Sequence, residues 1–165
     1  MDERTDADTP PTDAAERQLC RFSGWCKKTG YSLEYWEVFV TDQRLIFCFI
    51  GESYSSLLLK ADMGAAHRDR LSDYSLSEIT AFDDRNFTVP VHALRRVELT
   101  RSSWIKKTSL RFVWEDGEIE FFDVSQTSSE KDATSNMARL SEHDEYVDVA
   151  ISVSDRQFTP FSFWQ

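Results

Sequence analysis

Across 165 residues the chain carries 19 basic and 29 acidic side chains, a formal net charge of −10 and a sequence pI near 4.7. So negative a surface repels phosphate and excludes general nucleic-acid binding. Hydrophobic residues at 41% and aromatics at 13% exclude a disordered chain, and the length fits one domain with modest extensions.

Arginine outnumbers lysine by 13 to 6 and aspartate outnumbers glutamate by 16 to 13. Few lysines, many aspartates and a negative surface suggest the salt-adapted cytoplasm of a halophilic archaeon; an ordinary acidic protein is the other reading. No apolar run approaches the ~20 residues that span a bilayer, and the acidic start is the opposite of a secretory signal. The expectation is a cytoplasmic protein, at most peripheral to a membrane. Cys20, Cys26 and Cys48 are odd in number and lack CxxC spacing, so neither a metal site nor a cofactor is expected.

Residues 1–13 are polar, acidic and proline-bearing and read as a disordered tail. A single domain follows over 14–153. Leu19, Phe22 and Trp25 suggest a short helix or an extended lead into a first strand, and Cys26–Ser32, with Gly30, reads as a loop. Tyr35–Thr41 and Arg44–Ile50 are strands joined at Asp42-Gln43, where the Asp42 carboxylate is expected to accept backbone amides in an Asx-type turn. Both faces of this hairpin are apolar, so one belongs to the core and the other needs a cover.

Residues 53–82 form an insertion in which Leu57–Leu59 fit a strand or a helical turn ending near Gly64. Ser75 and Glu78 have capping-box spacing for a short helix to about Phe82. Pro90 marks a strand edge, and Arg95–Thr100 alternates as a half-buried strand. Asp116-Gly117 is the preferred pair for a type I′ turn, which sets Trp114 opposite Ile119, Phe112 opposite Phe121, Leu110 opposite Asp123 and Arg111 opposite Phe122. Thr127 and Glu130 form a second capping box, followed by Ala133, Met137 and Leu140 as a helical stripe. Tyr146–Val153 alternates as a late strand, and 154–165 is an aromatic tail carrying Phe158, Phe161, Phe163 and Trp164. The candidate covers for the hairpin's second face are the 53–82 insertion, the C-terminal strand and tail (146–164) and a second copy of the chain; the tail is the choice for at least part of it.

The run Val40–Phe47 (Val-Thr-Asp-Gln-Arg-Leu-Ile-Phe) resembles a hairpin of bacterial and archaeal pleckstrin-homology-like (GRAM-like) domains. Arg85–Leu99 is similar to the segment leading into a later strand of the same group, and a glycine-closed hairpin and a helix follow in order. The resemblance spans about Leu19 to Leu140. It implies a mainly β, α+β fold: a bent antiparallel sheet or partly open barrel of about seven strands, capped by a C-terminal helix. A late extra strand and the insertion depart from the pattern.

No catalytic or nucleotide-binding signature appears, and Asp83-Asp84, Glu115-Asp116 and His92 fit surface turns better than acid–base chemistry, so an enzyme is not expected. Lys27 and Lys28 lie where the resemblance implies inositol-phosphate-binding lysines, without the third basic residue of that pattern. Arg95, Arg96, Arg101, Lys106, Lys107 and Arg111 form a second basic stretch, with Trp104-Ile105 at an expected loop tip; balancing acidic neighbours is the simpler account of it. Three readings stay open. One is a module binding a protein partner, a second copy included, through a strand edge or the tail. The second is an anionic-lipid module using Lys27, Lys28, Trp104, Ile105, Lys106 and Lys107. The third is a closed barrel carrying a small apolar ligand, against which the bulky core aromatics count.

Overall fold

In a computed structural model of the chain, residues 16–54, 69–103, 107–123 and 128–155 are described. The fold is mainly β with a few helices. Strands β1 (Gln18–Thr29), β2 (Ser32–Thr41), β3 (Arg44–Tyr54), β4 (Phe87–Pro90), β5 (Leu94–Arg101), β6 (Ser109–Trp114), β7 (Gly117–Asp123) and β8 (Ala150–Asp155) make one sheet. Its order is β4-β3-β2-β1-β7-β6-β5-β8. Every neighbouring pair is antiparallel except β5 and β8, and among the described residues β4 and β8 are its two edges. Helix α1 spans Leu76–Thr80 and α2 spans Ser128–Ser141.

The first strand decides for the extended reading of Leu19–Trp25 and corrects the loop expected over Cys26–Ser32. Trp25 and Phe22 both enter the core although they are three residues apart, a helix-like spacing. A bulge between them absorbs the extra residue, and Gly24 adopts φ 81° there, a conformation open to glycine without strain. β1 then continues to Thr29, so Lys27 and Lys28 stand on a strand, opposite Glu34 and Leu33, and not in a loop. Only Gly30 (φ 56°) and Tyr31 are left for the turn.

The β2–β3 turn is Asp42-Gln43, as the sequence suggests, but its chemistry differs. The Thr41 hydroxyl, not Asp42, accepts the turn amides of Gln43 (3.1 Å) and Arg44 (2.9 Å). Asp42 faces the start of β1 instead, exchanging two 3.0 Å bonds with the Arg17 backbone.

The β6–β7 turn also shifts. Trp114 pairs with Gly117, Phe112 with Ile119, Leu110 with Phe121 and Arg111 with Glu120, so the two-residue loop is Glu115-Asp116. Gly117 is not among the positive-φ glycines. The slip is two residues, so the faces are kept and Phe112, Ile119 and Phe121 still line the core.

Phe47 stacks on Phe87 at 4.6 Å and meets Phe112 edge-on at 5.2 Å, so rings fill the interior. Helix α2 contributes Ala133, Met137 and Leu140 to that core, as its stripe predicts; Thr127, its expected cap, lies outside the described residues. The second face of the β2–β3 hairpin holds Phe39, Ile46, Cys48 and Ile50, on which Leu71 and Ile79 pack. Cover therefore comes from the insertion, where Ser75 caps α1 with the expected capping box. Arg21 ties this cover down: it pairs with buried Glu37 (2.8 Å), donates to Ser72 (3.2 Å) and lies over the Phe39 ring. Leu57–Leu59, Gly64 and the aromatic tail lie outside the described residues.

Tyr146 closes a 3-10 turn (Asp144–Tyr146), and the late strand begins only at Ala150, later than its alternation suggests. The reason is the buried Tyr146 phenol, which donates to the Thr41 carbonyl at 2.7 Å and draws the chain inward before β8 starts.

Candidate functional site

Three chain reversals are fastened together at one end of the sheet. The Val91 amide donates to the Gln43 carbonyl and the Glu115 amide to the Ala93 carbonyl, each at 3.0 Å. These bonds lock the β2–β3 turn to the β4–β5 corner, and that corner to the β6–β7 turn. Tyr146 adds the connector between α2 and β8 to the same assembly, and burial pushes its phenol well above its usual range, so it remains a donor.

Between these reversals and the connector lies a cleft of ≈ 530 Å³. Val91, Leu94 and Val149 give it apolar walls, and Asp42, Glu145 and Asp148 bring three carboxylates to it. His92 and Arg95 also line it. Arg95 is already committed, forming an ion pair with Glu115 and donating to the His92 carbonyl at 2.8 Å. The carboxylates thus dominate the field inside. Among the described residues no group of three His, Cys, Asp or Glu side chains is arranged to hold a metal ion.

Two residues beyond Asp148 the chain becomes β8, the edge of the sheet. Its inner side pairs in parallel with β5 from Arg96↔Ala150 to Arg101↔Asp155, and among the described residues nothing pairs with its outer side. Five of its six residues are exposed, Val153 at 38%. The strand is Ala-Ile-Ser-Val-Ser-Asp, without the proline, lysine or bulge that normally blunts an edge. Asp155, its one charge, is engaged with Arg101 at 2.8 Å. The opposite edge, β4, has four residues and ends at Pro90, as the proline predicts.

The basic stretch disperses on folding. Arg95 pairs with Glu115, Arg96 with Glu98, Arg101 with Asp155, and Arg111 with Glu118 and Glu98. Lys27, Lys28 and Lys107 are different, since no ion pair reaches them among the described residues. Lys107 also stands near the end of β1. Burial pushes the Cys26 thiol up, and the nearby Lys107 charge partly offsets the rise. Tyr31, at the β1–β2 tip beyond Lys28, is 88% exposed. Trp104, Ile105 and Lys106 lie outside the described residues, as do Phe158, Phe161, Phe163 and Trp164.

Thr108 and Ser102 hold the flanks of the 104–106 segment, both hydroxyls donating to Glu130 at the start of α2. Burial pushes the Glu130 carboxyl up, but the hydrogen bonds from Thr108 and Ser102 outweigh it, and the net shift is downward. Asp83 accepts the Arg85 amide at 2.8 Å, an ordinary turn carboxylate.

Sequence reasoning missed the cleft and the bareness of β8. The cleft draws on residues as far apart as 42, 92 and 148, which no local pattern links. The edge depends on which strand comes last in the sheet; the Ala-Ile-Ser-Val-Ser run, lacking any guarding residue, was the available signal. No family model, curated protein or solved structure matches the chain.

Proposed function

We propose that the chain is a non-enzymatic interaction module on a pleckstrin-homology-like scaffold, and that it takes an extended segment of a protein partner along β8. Seven strands paired antiparallel in one sheet, followed by a helix that buries Ala133, Met137 and Leu140 against it, support the scaffold. One observation carries the function: among the described residues, β8 offers an unblunted outer edge of backbone donors and acceptors. Strand addition to such an edge draws affinity from main-chain hydrogen bonds and specificity from flanking side-chain contacts.

Selection of ten-residue peptides from a random phage-displayed library against the full chain tests this. Bound peptide should protect the amides of Ala150–Asp155 from hydrogen exchange. Two synthetic versions, N-methylated on alternate amides, should behave oppositely, one losing binding and the other keeping it, because only every second amide faces β8. Binders that protect other segments, or equal tolerance of both methylation patterns, would rule strand addition out. A second copy of the chain is the competing occupant, and sedimentation of the peptide-free protein as a dimer would favour it.

That no ion pair reaches Lys27, Lys28 or Lys107 among the described residues, with Tyr31 at the adjacent tip, favours a second reading, binding of an anionic lipid headgroup. Sedimentation with vesicles containing phosphatidylserine, at low and high salt, separates the two. Lys28→Glu with Lys27→Glu should abolish salt-sensitive sedimentation if the lysines bind headgroups, and no sedimentation by the unaltered chain excludes this reading.

A further inference from the structure

We infer that the segment taken by β8 carries a lysine or arginine at the end that lies over the head of the strand, and that this cation enters the cleft beside it. The inference rests on the β8 reading and adds the chemistry of the partner. Edge and cleft adjoin along the chain, since Asp148 and Val149 line the cleft and Ala150, the next residue, opens β8. At about 3.3 Å per residue, a segment covering all six residues of β8 brings its next residue level with Val149 and Asp148.

The lining then selects the side chain. Val91, Leu94 and Val149 suit the aliphatic stem of a long residue, and Asp42, Glu145 and Asp148 suit a cationic head. Arg95 does not satisfy these acids, since its guanidinium is held by Glu115 and by the His92 carbonyl. His143 stands 3.9 Å from Glu145 and is a partner only when protonated. Asp42 accepts one backbone amide, from Arg17. The carboxylates do not converge as metal ligands do, so an extended cation with several donors fits better than a metal ion. The net charge of −10 also steers basic segments toward the chain and acidic ones away.

The peptides selected as above supply the probe. Those protecting Ala150–Asp155 should share a lysine or arginine at one end, and glutamine there should weaken binding tenfold or more. Asp148→Asn combined with Glu145→Gln, both at exposed positions, should erase that difference while the glutamine peptide binds both proteins equally; Asp148→Asn alone should reduce it. Two results overturn the inference and leave strand addition standing. They are β8-directed binders with no basic end, and an arginine-to-glutamine difference that survives in the double variant. Selected binders that never engage β8 overturn both.

Discussion

Trp114 lies across Gly117 so closely that a Cβ on the glycine would stand 2.8 Å from the indole Cζ2. Close approach, not a left-handed backbone, is why glycine occupies this position, and the same ring touches Phe47 and Phe87 in the core. Gly117→Ala should therefore push the indole off its packing and cost about 1–3 kcal/mol in urea unfolding. In a Trp114→Ala background the same change should cost nothing, or stabilise slightly by restricting the unfolded chain. An equal cost in both backgrounds would return the explanation to backbone strain.

What the sequence makes legible is what its periodicity encodes. Val97 and Leu99 alternate into the core, Ala133, Met137 and Leu140 recur on one helical face, and Ser75 caps where its spacing says. Each depends on neighbours within a few residues. Features set by distant pairing were hidden. Arg95 and Arg111 balance acidic neighbours, the simpler account of their stretch, but that the partners are Glu115 and Glu118 follows only from the folded pairing. Phe22 and Trp25 left helix and extended chain both open, because a bulge is invisible in a hydrophobic pattern. The hairpin's need for a cover was legible and the insertion was among its candidate sources, but periodicity could not choose the insertion, which supplies Leu71 and Ile79, over the tail.

Tyr146→Phe should destabilise the fold by about 1–2 kcal/mol. It removes a 2.7 Å bond and leaves the Thr41 carbonyl without it in a buried setting. The change should also loosen the connector that carries Glu145 and Asp148, seen as faster amide exchange from Asp144 to Val149. Exchange unchanged across that stretch would mean that the ring's packing, not its hydroxyl, fixes the connector.

Met137→Asp should cost several kcal/mol, since the side chain is 1% exposed and a carboxylate there has no cationic neighbour among the core residues. Met137→Leu, similar in volume, should stay within about 1.5 kcal/mol of the parent. Chemical denaturation of the pair separates burial of α2 from helix propensity; similar small losses for both would place the helix outside the core.

Cys48 gives a pH-dependent test of the cover. Its thiol is fully buried beneath Leu71 and Ile79, and burial pushes it up to about 12 while the Asn86 amide, donating at 3.4 Å, partly offsets the rise. Cys20 is likewise pushed up to about 12 by burial. Unfolded cysteines release their protons near pH 8.5, so between there and pH 12 the unfolded chain binds fewer protons than the folded one. Stability should be unaffected by these thiols below pH 8 and should fall as pH rises through that window, by about 1.4 kcal/mol per pH unit for each thiol. Urea unfolding under reducing conditions from pH 8 to pH 10 reads the slope directly. Cys48→Ala should make it shallower by the share of one thiol, although the substitution also changes the absolute stability. Ile79→Ala, which thins the cover, should speed labelling of Cys48 by a thiol reagent at pH 8 and cost about 2–4 kcal/mol. A Cys48→Ala slope equal to that of the parent, with labelling unaffected by Ile79→Ala, would mean that the insertion does not seal this face.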